Sequence, residues 1–113
     1  MNQDELLGAH RQELRRGTVV LACLLALRTP GYGYGLLKTL DGAGIPSDAN
    51  TIYPLLRRLE ERGLLASEWN VEDSRPRKFY RTSDAGSALA DQLMRDMTAL
   101  TASLHGLNGG TPE

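Results

Sequence analysis

The clearest pattern of apolar and polar positions lies in the middle of the chain. Four apolar side chains recur there at the i, i+3, i+4 and i+7 spacing of one helix face: Ile52, Leu55, Leu56 and Leu59. Asp48 precedes this run as a helix-capping residue, and Gly63 follows it where helices commonly end. The pattern predicts a helix over about residues 49–62 with one buried face. Pro54 is expected to kink it, because a proline beyond the first turn removes a backbone hydrogen bond.

Two further helical segments are predicted upstream. Residues 4–27 read as one helix that is polar in its first half and apolar almost all round in its second, with a bend expected at Gly17. A shorter helix over about residues 34–41 carries an apolar stripe and ends at Gly42 and Gly44. The apolar stretch 19–27 is far shorter than the ~20 residues needed to cross a bilayer.

Downstream of the third helix the period changes from helical to strand-like. Residues 64–70 and 77–82 alternate in the way of two strands, and the polar residues between them indicate a turn, so a hairpin is predicted. Trp69 is expected to lie in the core beneath this hairpin.

A last helix is predicted from the Ser83 cap to about residue 107, followed by a flexible tail over residues 108–113. Its apolar positions fall at steps of three and four, near the period of coiled coils: Leu89, Leu93, Met97, Leu100, Leu104 and Leu107. This spacing predicts a seam for pairing with a second copy, in which Leu89, Leu93, Met97, Leu100 and Leu104 form the dimer interface.

Three helices followed by a hairpin is the element order of a winged helix-turn-helix, a mainly α fold with a small β-hairpin. In that fold the third helix enters the major groove of DNA, and the hairpin, here about residues 70–78, is a wing that reaches phosphates or the minor groove. Residues 1–82 would then form the DNA-binding domain and residues 83–107 a C-terminal dimerisation helix.

The charge distribution agrees with an anionic partner although the net charge is only -1. Basic residues are concentrated between residues 50 and 82, whereas the last helix is mostly acidic. The polar face of the third helix and the wing supply the candidate DNA contacts: Asn50, Thr51, Tyr53, Arg57, Arg75, Arg77 and Lys78. Arg57 could instead pair with Glu61 one turn later, and Tyr53 could cover the edge of the core.

Composition excludes several other classes. The 113 residues suit one compact domain, and a single cysteine, Cys23, cannot form an internal disulfide. No Cys/His cluster has zinc spacing, and there is no nucleophile–base pair or phosphate-binding loop, so neither a metal, a cofactor nor an enzyme is expected. The polar first ten residues are unlike a signal peptide, which favours a cytoplasmic protein with no membrane partner.

Three stretches carry a resemblance to a known family: YGYGLLKTL, NTIYPLLRRLEERGLLASEW and RPRKFYRTSDAG. Together they resemble the PadR family of bacterial transcriptional regulators over about residues 16–86, and the length resembles the short branch with one C-terminal helix. The resemblance implies a homodimer in which the C-terminal helix packs against the partner's N-terminal helix. It also implies a repressor of a palindromic operator, released by a small-molecule effector at the dimer interface.

The resemblance assigns individual positions as well. Tyr34, Thr51, Tyr53 and Arg57 match family positions that face DNA, and Arg77 and Lys78 match the wing. Family members that sandwich flat drugs use an aromatic on the last helix, where this chain has Met97 and no aromatic. Stacking of a flat drug is therefore not expected here.

A second function of a different class stays open at this point. Winged helices also serve as protein-binding modules without DNA binding, because a fold alone does not fix function. The basic wing and the polar face of the third helix separate the two, since a protein-binding copy has no need of either.

Overall fold

The computed structural model describes residues 2–72 and 74–109. Within them the chain forms five helices and three short strands, in the order α1 Gln3–Arg16, α2 Thr18–Ala26, β1 Gly31–Tyr32, α3 Gly33–Gly42, α4 Ala49–Glu61, β2 Leu65–Asn70, β3 Arg77–Thr82 and α5 Asp84–Leu107. The fold is the winged helix-turn-helix that the element order predicts, with α3 and α4 as the helix pair and β2 and β3 as the wing. In the predicted tail, residues 108 and 109 form a turn and residues 110–113 lie outside the described residues.

The predicted first helix is divided at Gly17 into α1 and α2. The Asn2 side chain caps α1 by accepting a hydrogen bond from the Glu5 amide at 2.8 Å. None of the described residues of α1 is buried, whereas α2 contributes Leu21, Cys23 and Leu24 to the core. This difference follows from sequence, since α1 is polar and α2 is apolar almost all round.

Helix α4 is the third helix predicted from the sequence, and it has the buried and exposed faces that its apolar periodicity predicts. The Asp48 carboxylate accepts a hydrogen bond from the Thr51 amide at 2.9 Å and so begins the helix. Ile52, Leu55, Leu56 and Leu59 are all buried. The helix runs through Pro54 without interruption. Pro54 has no amide hydrogen to donate to the carbonyl of Asn50, which is an exposed residue in the first turn of the helix.

The sheet has three strands rather than the two of a simple hairpin. Strand order is β1-β3-β2, and both pairings are antiparallel. β1 places Gly31 opposite Tyr80 and Tyr32 opposite Phe79. The sequence predicts only a turn here, because a two-residue strand after Pro30 has no period of its own and forms only through its partner.

One apolar core joins the helices to the sheet. Its fully enclosed side chains are Leu24, Leu40, Ile52, Leu56, Leu59 and Cys23. Burial of each leucine or isoleucine stabilises the fold by roughly 1.5–3 kcal/mol. Burial also raises the pKa of the Cys23 thiol to about 11, so this group stays neutral inside the core.

The first half of α5 is docked on this core and the second half is not. Ser83 caps the helix by accepting from the Gly86 amide at 3.1 Å, and its hydroxyl donates to the Gly63 carbonyl at 2.6 Å. The Arg28 guanidinium donates to the Ser87 hydroxyl at 3.0 Å and to the Asp91 carboxylate at 2.7 Å. Beyond about residue 93 the helix projects away with its apolar residues exposed.

Candidate nucleic-acid interface

The exposed face of α4 carries the residues that the sequence places there. Asn50, Thr51, Tyr53 and Arg57 are all exposed, because the buried face of the same helix is turned toward the core. Arg57 has no ion-pair partner among the described residues, so the alternative pairing with Glu61 is not formed. Its guanidinium therefore remains available to an anion from outside.

Tyr53 is seated against the beginning of α3. Its ring lies so close to Gly33 that a Cβ on that glycine would come within 2.5 Å of the ring carbon Cε1. The side chain is nonetheless 41% exposed. Tyr34 follows Gly33 and is largely exposed, with the Lys38 ammonium 4.8 Å from its ring centroid. The close contact at Gly33 thus brings two tyrosines to one surface.

The base of the wing is organised around Tyr32. The Arg77 guanidinium lies over the Tyr32 ring at 4.2 Å from its centroid, and Phe79 packs edge-on at 6.0 Å. The Asn70 amide donates to the Tyr32 hydroxyl at 2.6 Å. These contacts attach β1 to the wing and orient Arg77. Arg75 is exposed in the connection between the wing strands; within the predicted wing 70–78, Asp73 lies outside the described residues.

Lys78 lies between the wing and α4. Its ammonium nitrogen is 3.0 Å from Glu60 Oε1, and the Ser67 hydroxyl donates to Glu60 Oε2. The Ser67 and Lys78 hydrogen bonds lower the pKa of the Glu60 carboxyl, and the Glu60 carboxylate raises the pKa of the Lys78 ammonium. Lys78 is therefore an ion-paired residue, which the sequence does not predict.

These elements enclose a groove of about 480 Å³. It is lined by Tyr32, Gly33, Tyr34, Tyr53, Arg57, Trp69, Arg77, Lys78 and Tyr80, and so by aromatic rings and cations without an acid among the described residues. We refer to it as the aromatic-cationic groove. It lies between the polar face of α4 and the wing, where its cationic side chains make the local electrostatic potential more positive.

Trp69 corrects a sequence expectation, because it lies in this groove and is 63% exposed rather than in the core. Leu65, Ser67 and Trp69 share one face of β2, and burial falls along it from buried through half-buried to exposed. The strand leaves the core as it approaches the turn. Strand alternation shows which side chains of β2 face the core, but not the point along the strand beyond which no other element packs on them. Sequence reasoning therefore missed Trp69 and Tyr32 as groove residues.

The candidate dimer residues on α5 fall into two groups. Leu89 and Leu93 are partly buried against the core of their own chain. Met97, Leu100 and Leu104 are 37%, 61% and 63% exposed. On α1, Leu6, Leu7 and Leu14 are exposed as well.

In the described part of the chain, no group of three or more His, Cys, Asp or Glu residues could hold a metal ion. No helix of that part is long and apolar enough to pass through a membrane.

Fold and groove together define a winged helix-turn-helix protein. The model of the Transcriptional regulator PadR-like family matches residues 20–92, which is more than half of the chain. The chain therefore belongs to the PadR-like family of transcriptional regulators, and it is a regulator rather than an enzyme.

Two relatives support this membership. The chain is 37% identical over 75 residues to Transcriptional regulator Rv3488 of Mycobacterium tuberculosis, covering 66% of this chain and 70% of that protein. The crystal structure of a PadR family transcriptional regulator from Eggerthella lenta is similar with a TM-score of 0.89 and 47% identity, over 92% of this chain and 93% of that one. A structure of Bacillus subtilis PadR in complex with operator DNA has a TM-score of 0.64 at 21% identity, a likeness of fold over 71% of this chain and 48% of that chain.

Proposed function

We propose that this chain binds double-stranded DNA as a transcriptional regulator, with α4 in the major groove and the wing on the backbone. The observation that carries the proposal is that the exposed face of α4 and the aromatic-cationic groove lie on the same side of the molecule. The beginning of α4 is the part placed to reach base edges, with Asn50, Thr51 and Tyr53 in its first turns.

The contacts to the backbone come from the groove and the wing. Arg57 is exposed without an ion pair among the described residues, and Arg77 is held at the base of the wing. Arg75 and the Tyr34 hydroxyl extend this surface on either side. Cations that neutralise phosphates release counterions from DNA, so binding should weaken steeply as salt rises. The cations Arg57 and Arg77 in the described groove lining favour DNA over a protein-binding module.

The complex of Bacillus subtilis PadR with operator DNA supports the same partner by likeness of fold. A bacterial regulator that binds chromosomal DNA works in the cytoplasm, and this location is part of the proposal.

The proposed assembly is a homodimer formed through α5 and α1. The exposed Met97, Leu100 and Leu104 on α5 and the exposed leucines of α1 are apolar surfaces without cover in one chain. Residues 1–82 then form the DNA-binding domain and 83–107 the dimerisation helix. A dimer would read two half-sites related by symmetry. Repression, relieved by a small-molecule effector at the dimer interface, is the regulatory part of the proposal and rests on the family resemblance.

The test uses fluorescence anisotropy with duplex DNA from upstream of the chain's own gene. Tyr53→Ala should weaken specific binding by about 1–3 kcal/mol if its side chain reads a base, whereas Arg57→Ala should weaken binding to all duplexes about equally and reduce the salt slope by about 1 if it contacts a phosphate. Arg62→Ala is the matched control, because Arg62 lies at the other end of α4 and outside the groove. Equal affinity of all three variants and the wild type would show that α4 does not enter the groove of DNA.

A further inference from the structure

One carboxylate joins α4 to both strands of the wing. Glu60 Oε1 accepts from the Lys78 ammonium on β3 at 3.0 Å, and Glu60 Oε2 accepts from the Ser67 hydroxyl on β2. The two strands are paired with each other, so Glu60 fixes their joint position relative to the helix. Both charged side chains are 31% exposed, which makes this pair less exposed than the Arg16–Glu13 and Arg28–Asp91 pairs.

The charges around this contact explain why the carboxylate matters. Arg57 lies one turn before Glu60 on α4 and repels the Lys78 ammonium. Arg57 and Lys78 both line the aromatic-cationic groove, whereas Glu60 does not. Without the Glu60 charge, two cations from different elements would face each other across the groove. The like-charge repulsion between Arg57 and Lys78 would then be unopposed and would weaken the contact between the wing and α4.

We propose that Glu60 is a positioning residue for DNA binding, and that Lys78 acts through its ion pair with Glu60 rather than as a phosphate ligand. The inference rests on the proposed function. A winged helix binds one duplex with two elements at once, so the distance between α4 and the wing has to match the distance between the major groove and the flanking backbone. Glu60 holds that distance before DNA arrives, which removes an ordering cost from binding.

The direction in which one substitution changes DNA affinity distinguishes a positioning role of Glu60 from a simple electrostatic effect. Glu60→Gln removes a negative charge close to a DNA-binding surface, and on charge alone it should strengthen binding. If Glu60 positions the wing, the same change weakens binding by about 3- to 10-fold, as expected for residues that act as a coupled pair. Glu61→Gln is the matched control: it removes the same charge from the next residue, which has no ion pair among the described residues.

Salt dependence separates the two roles of Lys78. A lysine that neutralises a phosphate contributes about 0.9 to the slope of log affinity against log salt concentration. Lys78→Gln should weaken binding by a factor similar to that of Glu60→Gln and leave the slope unchanged. The double variant Glu60→Gln/Lys78→Gln should bind no more weakly than either single variant, because both remove the same contact.

The experiment measures affinity for the upstream duplex at several salt concentrations for the wild type and these variants, with the thermal unfolding midpoint of each recorded alongside. The charge swap Glu60→Lys/Lys78→Glu should recover most of the lost affinity, which a loss of general stability would not predict. Tighter binding by Glu60→Gln, or a slope reduced by about 0.9 in Lys78→Gln, would overturn this inference and leave the proposed function intact. A wild-type protein that binds no DNA at low salt would overturn both.

Discussion

Gly86 lies where α5 meets the connection between α4 and the wing, and replacing it with alanine probes how α5 is docked. A Cβ on Gly86 would lie 2.1 Å from the Leu64 carbonyl oxygen and 2.9 Å from Thr82 Cγ2. The nearest atom belongs to the backbone and cannot turn aside as a side chain can. The same carbonyl accepts a hydrogen bond from the Ser83 amide at 3.1 Å, so moving it disturbs the beginning of α5.

Two opposing effects set the magnitude of Gly86→Ala. Alanine favours the helix over glycine by about 0.8–1 kcal/mol. Close carbon–oxygen contacts in proteins are about 3.3–3.6 Å, so α5 or the Leu64 carbonyl has to shift by roughly 1.2 Å. Overpacking costs ~1–3 kcal/mol or more, and a weakened hydrogen bond adds ~1 kcal/mol. The steric effect is the larger one, and we expect a net loss of about 2 kcal/mol, or about 8 °C in Tm for a domain of this size.

Thermal and urea unfolding followed by circular dichroism at one fixed protein concentration would measure this loss, since a dimer's apparent stability depends on concentration. Gly106→Ala is the matched control, because it lies in the same helix and a methyl group there would meet no atom within 4 Å beyond its own stretch of helix. It should be neutral or stabilise by up to ~1 kcal/mol. A Gly86→Ala protein as stable as the wild type would refute the described contact between α5 and Leu64.

Three further predictions concern the core, the docking of α5 and the dimer. Burial raises the pKa of the Cys23 thiol from 9.0 to about 11, so the unfolded chain loses this proton at lower pH than the folded protein. The stability that the neutral thiol contributes is therefore intact below about pH 9 and is lost between pH 9 and 11. The Tm of Cys23→Ala should fall less steeply from about pH 8 to 10 than that of the wild type. Arg28→Ala should lower the free energy of unfolding by ~1 kcal/mol through its lost bonds to Ser87 and Asp91, whereas Arg58→Ala, exposed on α4, should change it little by urea titration. Leu100→Lys should make the protein monomeric at micromolar concentration, as measured by light scattering, whereas Ala102→Lys on the opposite face of α5 should leave it dimeric. If both variants were dimers, the proposed seam would be contradicted.

The elements with a strong period could be predicted from the sequence. The buried face of α4 follows from Ile52 and its partners at helical spacing, and the Asp48 and Ser83 caps follow from residue type. The exposed face of α4 then follows automatically, which is why Tyr53 and Arg57 could be named as candidates. Here local pattern and tertiary structure impose the same requirement.

The features that could not be predicted depend on contacts between distant residues. β1 exists because Gly31 and Tyr32 pair with β3, almost fifty positions later in the chain. Trp69 lines the groove because the end of β2 near the turn extends beyond the elements that bury the rest of the strand. The Glu60–Lys78 ion pair joins a helix to a strand, and neither residue differs in sequence pattern from its solvated neighbours. Each of these three features can be recognised only from the three-dimensional structure.

We propose that α4 and the wing bind duplex DNA as parts of a dimeric regulator. Protection mapping on DNA upstream of the chain's own gene tests it most directly. We expect a protected site with two symmetric halves whose centres lie about one helical turn, or a multiple of it, apart, and we expect protection to fade as salt is raised. Absence of protection at low salt and saturating protein would contradict it.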